Sequence, residues 1–263
     1  MDLLPWYMYF FAVLGGVLAG VINTLAGSGS LVTLPILVLL GLPADVANGT
    51  NRVGIVIQSV VGVGAMRRDG KLRTQGSAMF LLPTLAGSLV GARLASGLDA
   101  ETMDKVIGLL MVALLGIILV HPKRWLREES DAQATTLKPW LVPVFFFIGV
   151  YGGFIQAGVG ILLLVGLVLG AGFSLVEANA LKLLLALCFT LIALAVFLVH
   201  DLVHWPYGLL MGVGQAIGAW GAVRFATRYE GANRWVRRLL IVVVCVGIVR
   251  FWGLWDLALE ALS

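Results

Sequence analysis

An all-α integral membrane fold of two inverted-topology repeats, each with a re-entrant or broken helix hairpin, follows from three features of this sequence. Its composition leaves too little polar surface for water, its hydrophobic segments follow one layout twice, and its basic residues fall in loops that alternate between the sides of a bilayer. Hydrophobic residues make up 60% of the 263 residues and charged residues 12%, so a soluble globule would lack its polar coat and lipid must be the solvent. A pI near 9.3 would suit a nucleic-acid binder. The Lys and Arg residues, however, sit in short loops between apolar spans, where the positive-inside rule accounts for them.

A spanning helix requires roughly 20 apolar residues, because the hydrocarbon is about 30 Å thick and each residue rises about 1.5 Å. Hydropathy marks residues 6–26, a short run 31–40, then 45–66, 76–98 and 103–120. After a polar stretch the order returns as 141–156, a short run 161–169, then 175–199, 206–225 and 239–254. Residues 1–122 form the first repeat, 123–138 a cytoplasmic linker and 139–263 the second. The first span follows Asp2 with no Lys or Arg ahead of it, unlike a cleavable signal, and is expected in the mature protein. Cys188 and Cys245 lie singly in apolar runs and read as small buried side chains.

Sliding the chain over itself without gaps brings Ala26, Gly27, Gly29, Gly41, Ala47 and Asn48 onto Ala157, Gly158, Gly160, Gly172, Ala178 and Asn179. Gly87, Arg93, Ala95 and Gly116 likewise meet Gly218, Arg224, Ala226 and Gly247. Two A-G-x-G breaks and two A-N pairs at equivalent points of one layout support an internal duplication. The basic clusters at Arg67 to Arg73, Lys123 to Lys138 and Arg224 to Arg238 are placed in the cytoplasm. The stretches at Asp99 to Glu101 and His200 to Trp205, and both termini, are then outside. Because the loop at Arg67 is inside and its counterpart at His200 outside, the halves are inverted. The two short runs, each about 15 Å as helix, are read as half-helices entering from opposite faces and meeting near the midplane.

Irregular backbone at membrane depth survives only where protein or a water-filled cavity satisfies it. The break at Gly27, Ser28, Gly29 and Ser30 opens a half-helix whose free N–H groups and positive dipole end would hold an anion. Gly158 and Gly160 offer a second such site, against the alternative of a glycine hinge for close packing. Arg52 and Lys182 lie about two turns into long apolar helices, where charge rarely faces lipid. Arg52 shares a helical face with Asn48, and Lys182 with Asn179, while Asn51 is the positional partner of Lys182. Two cations, asparagine amides and two helix N-termini suit a compact anion with several acceptor oxygens. The competing reading of Arg52 and Lys182 is snorkelling to the interface. Asp45 and Glu177 lie in the first turns of their helices, and Ser174 with Glu177 reads as a capping box. Asn23 and Gln156, beside the two breaks, are further candidates to line the cavity. No catalytic set, metal-ligand set or cofactor motif is found.

The run from Gly20 through Asn23, Thr24 and Gly27-Ser28-Gly29-Ser30 to Leu34-Pro35, Gly41-Leu42-Pro43 and Ala47-Asn48-Gly49-Thr50-Asn51-Arg52 resembles the signature of the sulfite exporter TauE/SafE family. The second half is similar at Tyr151-Gly152-Gly153-Phe154, Gly158-Val159-Gly160 and Ala178-Asn179-Ala180-Leu181-Lys182. The resemblance implies a bacterial inner-membrane permease, exporting sulfite, sulfonates or related organosulfur anions. By motif match it puts substrate contacts at Asn23, Gly27 to Ser30, Asn48, Asn51, Arg52, Asn179 and Lys182. Two departures bear on the anion: Ser28 and Ser30 stand in a break that is often all glycine, and Arg52 stands where lysine is common.

The expectation is therefore a non-enzymatic carrier that binds a small oxyanion near the midplane and exposes it alternately to each side. Its partners are a small anionic substrate and the lipid bilayer, with no nucleic acid, and a homodimer is left open. Rivals are a channel, a carrier of another small anion or metabolite, a membrane enzyme, and an assembly partner without flux.

Overall fold

The computed structural model describes residues 6–26, 29–68, 70, 72, 77–120, 138–226, 241, 242 and 245. Among them all regular structure is helical. The helices are α1 (Trp6–Ala26), α2 (Ser30–Leu39), α3 (Ala44–Arg68), α4 (Ala78–Ser96), α5 (Ala100–Val120), α6 (Leu141–Phe154), α7 (Val159–Val165), α8 (Leu175–Val199) and α9 (Trp205–Ala226). They occupy the hydropathic segments read from the sequence, with one difference. The second short run is not a uniform helix, because α7 passes into a π-helical turn over Gly166–Gly170 before ending. Gly27 and Ser28, most of the linker and most of the segment 239–254 lie outside the described residues.

The outer surface is apolar on every long helix. Phe10 and Phe11 on α1, Leu82 on α4, Leu109 on α5, Phe147 on α6 and Trp220 on α9 all project outward. Polar side chains such as Asn48, Asn51, Arg52, Gln58, Thr84, Gln156, Lys182, Thr190 and Gln215 are buried instead. That inversion of the usual partition is what a hydrocarbon solvent selects. Cys188 is partly buried and Cys245 exposed, so the second cysteine is not the buried side chain expected of it.

Lipid supplies no hydrophobic force between helices, so close van der Waals approach must hold them together. Glycine provides it here. The two most extensive pairings are α1 with α9 and α4 with α6. A Cβ on Gly16 or Gly20 would strike the backbone of Met211 or Gln215, and one on Gly214 or Gly218 that of Val13 or Val17. The other pair repeats the arrangement: Gly149 and Gly153 lie on the backbones of Thr84 and Ser88, while Gly87 and Gly91 lie on those of Phe146 and Val150. In both pairs the contacts advance together along the two chains, so the helices run parallel. Packing thus gives Gly87 the place of Gly214, one turn from the Gly218 that the ungapped comparison put opposite it. Along α9, Gly208 and Gly212 present a second bare face to Val53 and Ile57 of α3.

Gly20→Ala or Gly153→Ala is expected to destabilise the protein by roughly 1–3 kcal/mol, since a backbone atom of the facing helix must move. Gly64→Ala, where nothing lies within 4 Å, is expected to be neutral or to stabilise by up to about 1 kcal/mol through helix propensity. Thermal melting in detergent compares them, and equal shifts in all three would sink this account of the pairing.

Candidate functional site

A helix ends with four carbonyls that have no partner within it. In lipid each must find one elsewhere. For α6, which stops at Phe154, those carbonyls belong to Tyr151, Gly152, Gly153 and Phe154, and all four are accounted for. The Tyr151 carbonyl accepts from Ile155 N–H at 3.0 Å. The other three are met by α3. Arg52 donates through Nη1 to the Gly152 carbonyl and through Nη2 to the Gly153 carbonyl at 2.9 Å, and Asn48 Nδ2 donates to the Phe154 carbonyl at 2.8 Å. The remaining Nη hydrogens of Arg52 go to Gln156 Oε1 at 2.8 Å and Asn48 Oδ1 at 3.3 Å. A guanidinium at a helix C-terminus also meets the negative end of the dipole.

Arg52 is 0% exposed and Lys182 5%, so neither reaches for the interface. The Arg52 guanidinium carbon lies 5.3 Å from the centre of the Phe197 ring on α8, in cation–π range. Lys182 is on α8 as well, and α3 packs against α8. Among the described residues no carboxylate pairs with either cation. Glu177 instead joins Ser174 in the capping box that the sequence signalled, with Ser174 Oγ accepting from Glu177 N–H at 3.3 Å. Asp45 accepts from Val46 N–H at 2.9 Å. Hydropathy passed over Asp104, in the second turn of α5, one of whose carboxylate oxygens is shielded from solvent.

The second break is a tight turn. Gln156 adopts φ 61°, a left-handed conformation that side chains rarely take, and Gly158 adopts φ 71°. Gln156 is held there from two sides, because it accepts from Arg52 and donates through Nε2 to Thr190 Oγ1 of α8 at 2.7 Å. Strain of this kind persists only where neighbours over-determine it. Gly160 is buried in α7.

The first break has a different chemistry. Gly29 N–H donates to Asn23 Oδ1 at 3.3 Å, and Asn23 Nδ2 donates to Gln58 Oε1 at 3.0 Å. Thr33 of α2 donates its hydroxyl to Asn51 Oδ1. Ser30 is buried at the start of α2. Helix α3 therefore serves both breaks: its Asn48–Arg52 face caps α6, and its Asn51–Gly54–Gln58 face meets α1, α2 and α9. Asn179 is half-buried on α8, and no bond joins it to Lys182 among the described residues. Gly27 and Ser28 lie outside those residues.

Gln58, Thr190 and Gln215 were not picked out in the sequence reading. Their signal was available, since each is a polar residue in the middle of an apolar span. Arg93 is exposed in the last turn of α4.

A family model described as "Sulfite exporter TauE/SafE" matches residues 12–251. The chain is 28% identical over 249 residues to "Probable membrane transporter protein ORF9" of Sinorhizobium sp, covering 94% of this chain and 93% of that one. It is 28% identical over 204 residues to a "Probable membrane transporter protein" of Haemophilus influenzae, covering 78% and 79%. With "Probable membrane transporter protein YfcA" of Escherichia coli K12 the identity is 26% over 244 residues, covering 93% and 88%. No solved structure matches the chain.

Removing the fork that caps α6 has a predictable cost. Arg52→Ala orphans two buried carbonyls and is expected to destabilise the protein by roughly 3 kcal/mol or more, and Asn48→Ala by about 1–3 kcal/mol. Arg52→Lys keeps the charge but not the planar fork, and should fall between wild type and Arg52→Ala. Melting temperatures that leave Arg52→Ala at the wild-type value would remove its capping role.

Proposed function

The chain belongs to the sulfite exporter TauE/SafE family, whose relatives are named as membrane transporter proteins, and from that premise we propose that it carries a small sulfur-containing oxyanion, sulfite or an organosulfonate. The observation that supports this reading most is the pair of buried cations. Arg52 and Lys182 bring positive charge into a low-dielectric interior, and no carboxylate among the described residues compensates it. A buried charge without a partner is costly, and a bound anion removes that cost. The Nη hydrogens of Arg52 are taken by α6, Gln156 and Asn48, so its part is mainly the field it projects. Lys182, with three rotatable donors, is the direct contact for an anion oxygen.

The midplane location and alternating exposure rest on symmetry. One glycine contact pattern joins α1 to α9 and α4 to α6, each pair combining a helix from either half. That exchange is consistent with two inverted repeats, multiple crossings of a bacterial inner membrane and both termini outside the cytoplasm. Rocking one parallel pair against the other around the α3–α8 contact would then turn the site from one side to the other. Export as the direction comes from the family description.

Uptake of radiolabelled sulfite, methanesulfonate, sulfate and phosphate into proteoliposomes, with and without a pH gradient, tests the reading. Saturable flux with counterflow is expected for a sulfur oxyanion. Flux without saturation or counterflow would make the protein a channel, and no flux of any of them would remove the anion assignment. Lys182→Met is expected to weaken substrate binding by at least about tenfold, the effect of one charge-assisted hydrogen bond. Its melting temperature should stay level or rise, because an uncompensated buried charge has gone.

A further inference from the structure

Glycine takes a left-handed backbone without steric cost, and other residues do not. Among the described residues the chain follows this rule at Gly41, Gly70, Gly158 and Gly172. It departs from it at Asp201, exposed in a turn, and at Gln156, which is 4% exposed. A turn that served only to end α6 could carry glycine at 156 as it does at 158. The side chain is therefore what this position requires, and both of its ends are in use. Oε1 accepts from Arg52 Nη1 of α3 at 2.8 Å, and Nε2 donates to Thr190 Oγ1 of α8 at 2.7 Å. Thr190 is fully buried, so water does not compete for that bond.

The result is a relay from α3, in the first half of the chain, through the α6–α7 turn to α8 in the second. Among the described residues Arg52 engages three groups of the second half. The Gly152 and Gly153 carbonyls belong to a helix end that cannot be left bare. Gln156 is the third and the one side chain, with rotatable bonds of its own. It is the member of the set that can let go. Two terms oppose each other there. A left-handed backbone at a residue other than glycine costs about as much as one or two hydrogen bonds contribute. Strain draws the turn away from this arrangement, and the two bonds hold it. Terms so closely matched suit an element with two arrangements.

We infer that Gln156, together with Thr190, is a positioning residue of transport: a two-ended latch that holds α3, the α6–α7 turn and α8 in the arrangement seen, and opens when the site turns to the other side. This rests on the alternating-exposure reading above and names a step that controls it. Opening breaks the bonds to Arg52 and Thr190, returns Gln156 to an ordinary backbone conformation and lets α7 change its angle to α6. Arg52 keeps its bonds to the Gly152 and Gly153 carbonyls, so α6 stays capped throughout. Gln156 thus acts through the helices it joins and not by touching the anion.

Pulsed electron-spin distance measurement on the full-length protein in nanodiscs tests it, with spin labels at the exposed positions Leu162 of α7 and Val60 of α3 and both native cysteines, Cys188 and Cys245, replaced by alanine. Thr190→Val removes one end of the latch and is expected to raise the population of a second distance about fivefold over wild type, the effect of one hydrogen bond. Gln156→Ala loses both bonds but keeps the strain, and should raise it further. Gln156→Gly loses the bonds and the strain together, so it should fall below Gln156→Ala. Thr190→Ser restores the acceptor and should return the wild-type distances. A merely structural role lowers the melting temperature of these variants without a second distance. Distances unchanged from wild type in Thr190→Val and Gln156→Ala overturn this inference alone, and either variant gives that answer if the other does not fold. Absence of sulfite flux through wild-type proteoliposomes overturns the transport reading on which it rests.

Discussion

A helix that stops inside a packed interior must find partners for the carbonyls of its last turn, and much of this structure is arranged around meeting that demand for α6. Gly152 and Gly153 are buried, so the partners must come from the protein. The partners come from another helix in the other half of the chain, where Asn48 and Arg52 stand one turn apart and reach the carbonyls of Gly152, Gly153 and Phe154. Arginine suits the task because its planar fork engages two adjacent carbonyls at once. The consequence is a positive charge held at the break and not neutralised by a carboxylate among the described residues. The side chain that meets this structural demand is thus also the one that brings charge to the break.

The glycines make that reach possible. Parallel pairing of α1 with α9 and of α4 with α6 brings backbones together so closely that a single methyl group on the contact face would hit a carbonyl. Ser88, beside this contact, donates its hydroxyl across to the Phe189 carbonyl of α8 at 2.8 Å. Each pair thereby ties a helix of the first half to a helix of the second.

Helix α3 carries two chemistries on two faces. Toward α6 it is cationic and its donors are nearly all engaged. Toward α1, α2 and α9 it is neutral and amide-rich, with donors left over at Asn51 and Gln215.

The sequence by itself determined the solvent, the order and extents of the helices, the capping box at Ser174 and Glu177, and the presence of charge at Arg52 and Lys182. Each is a local or compositional property, because hydropathic length and cap chemistry do not depend on what lies across the bundle. It also exposed the two glycine breaks, though not their difference. Only the tertiary structure decided that Arg52 serves the break of the opposite half, that Gln156 is held left-handed between Arg52 and Thr190, and that Gln215 lies over Gly54. These are contacts between residues far apart in the chain, and a polar residue in an apolar run announces only that it requires a partner. Which partner it obtains depends on how closely the glycine faces let the helices approach.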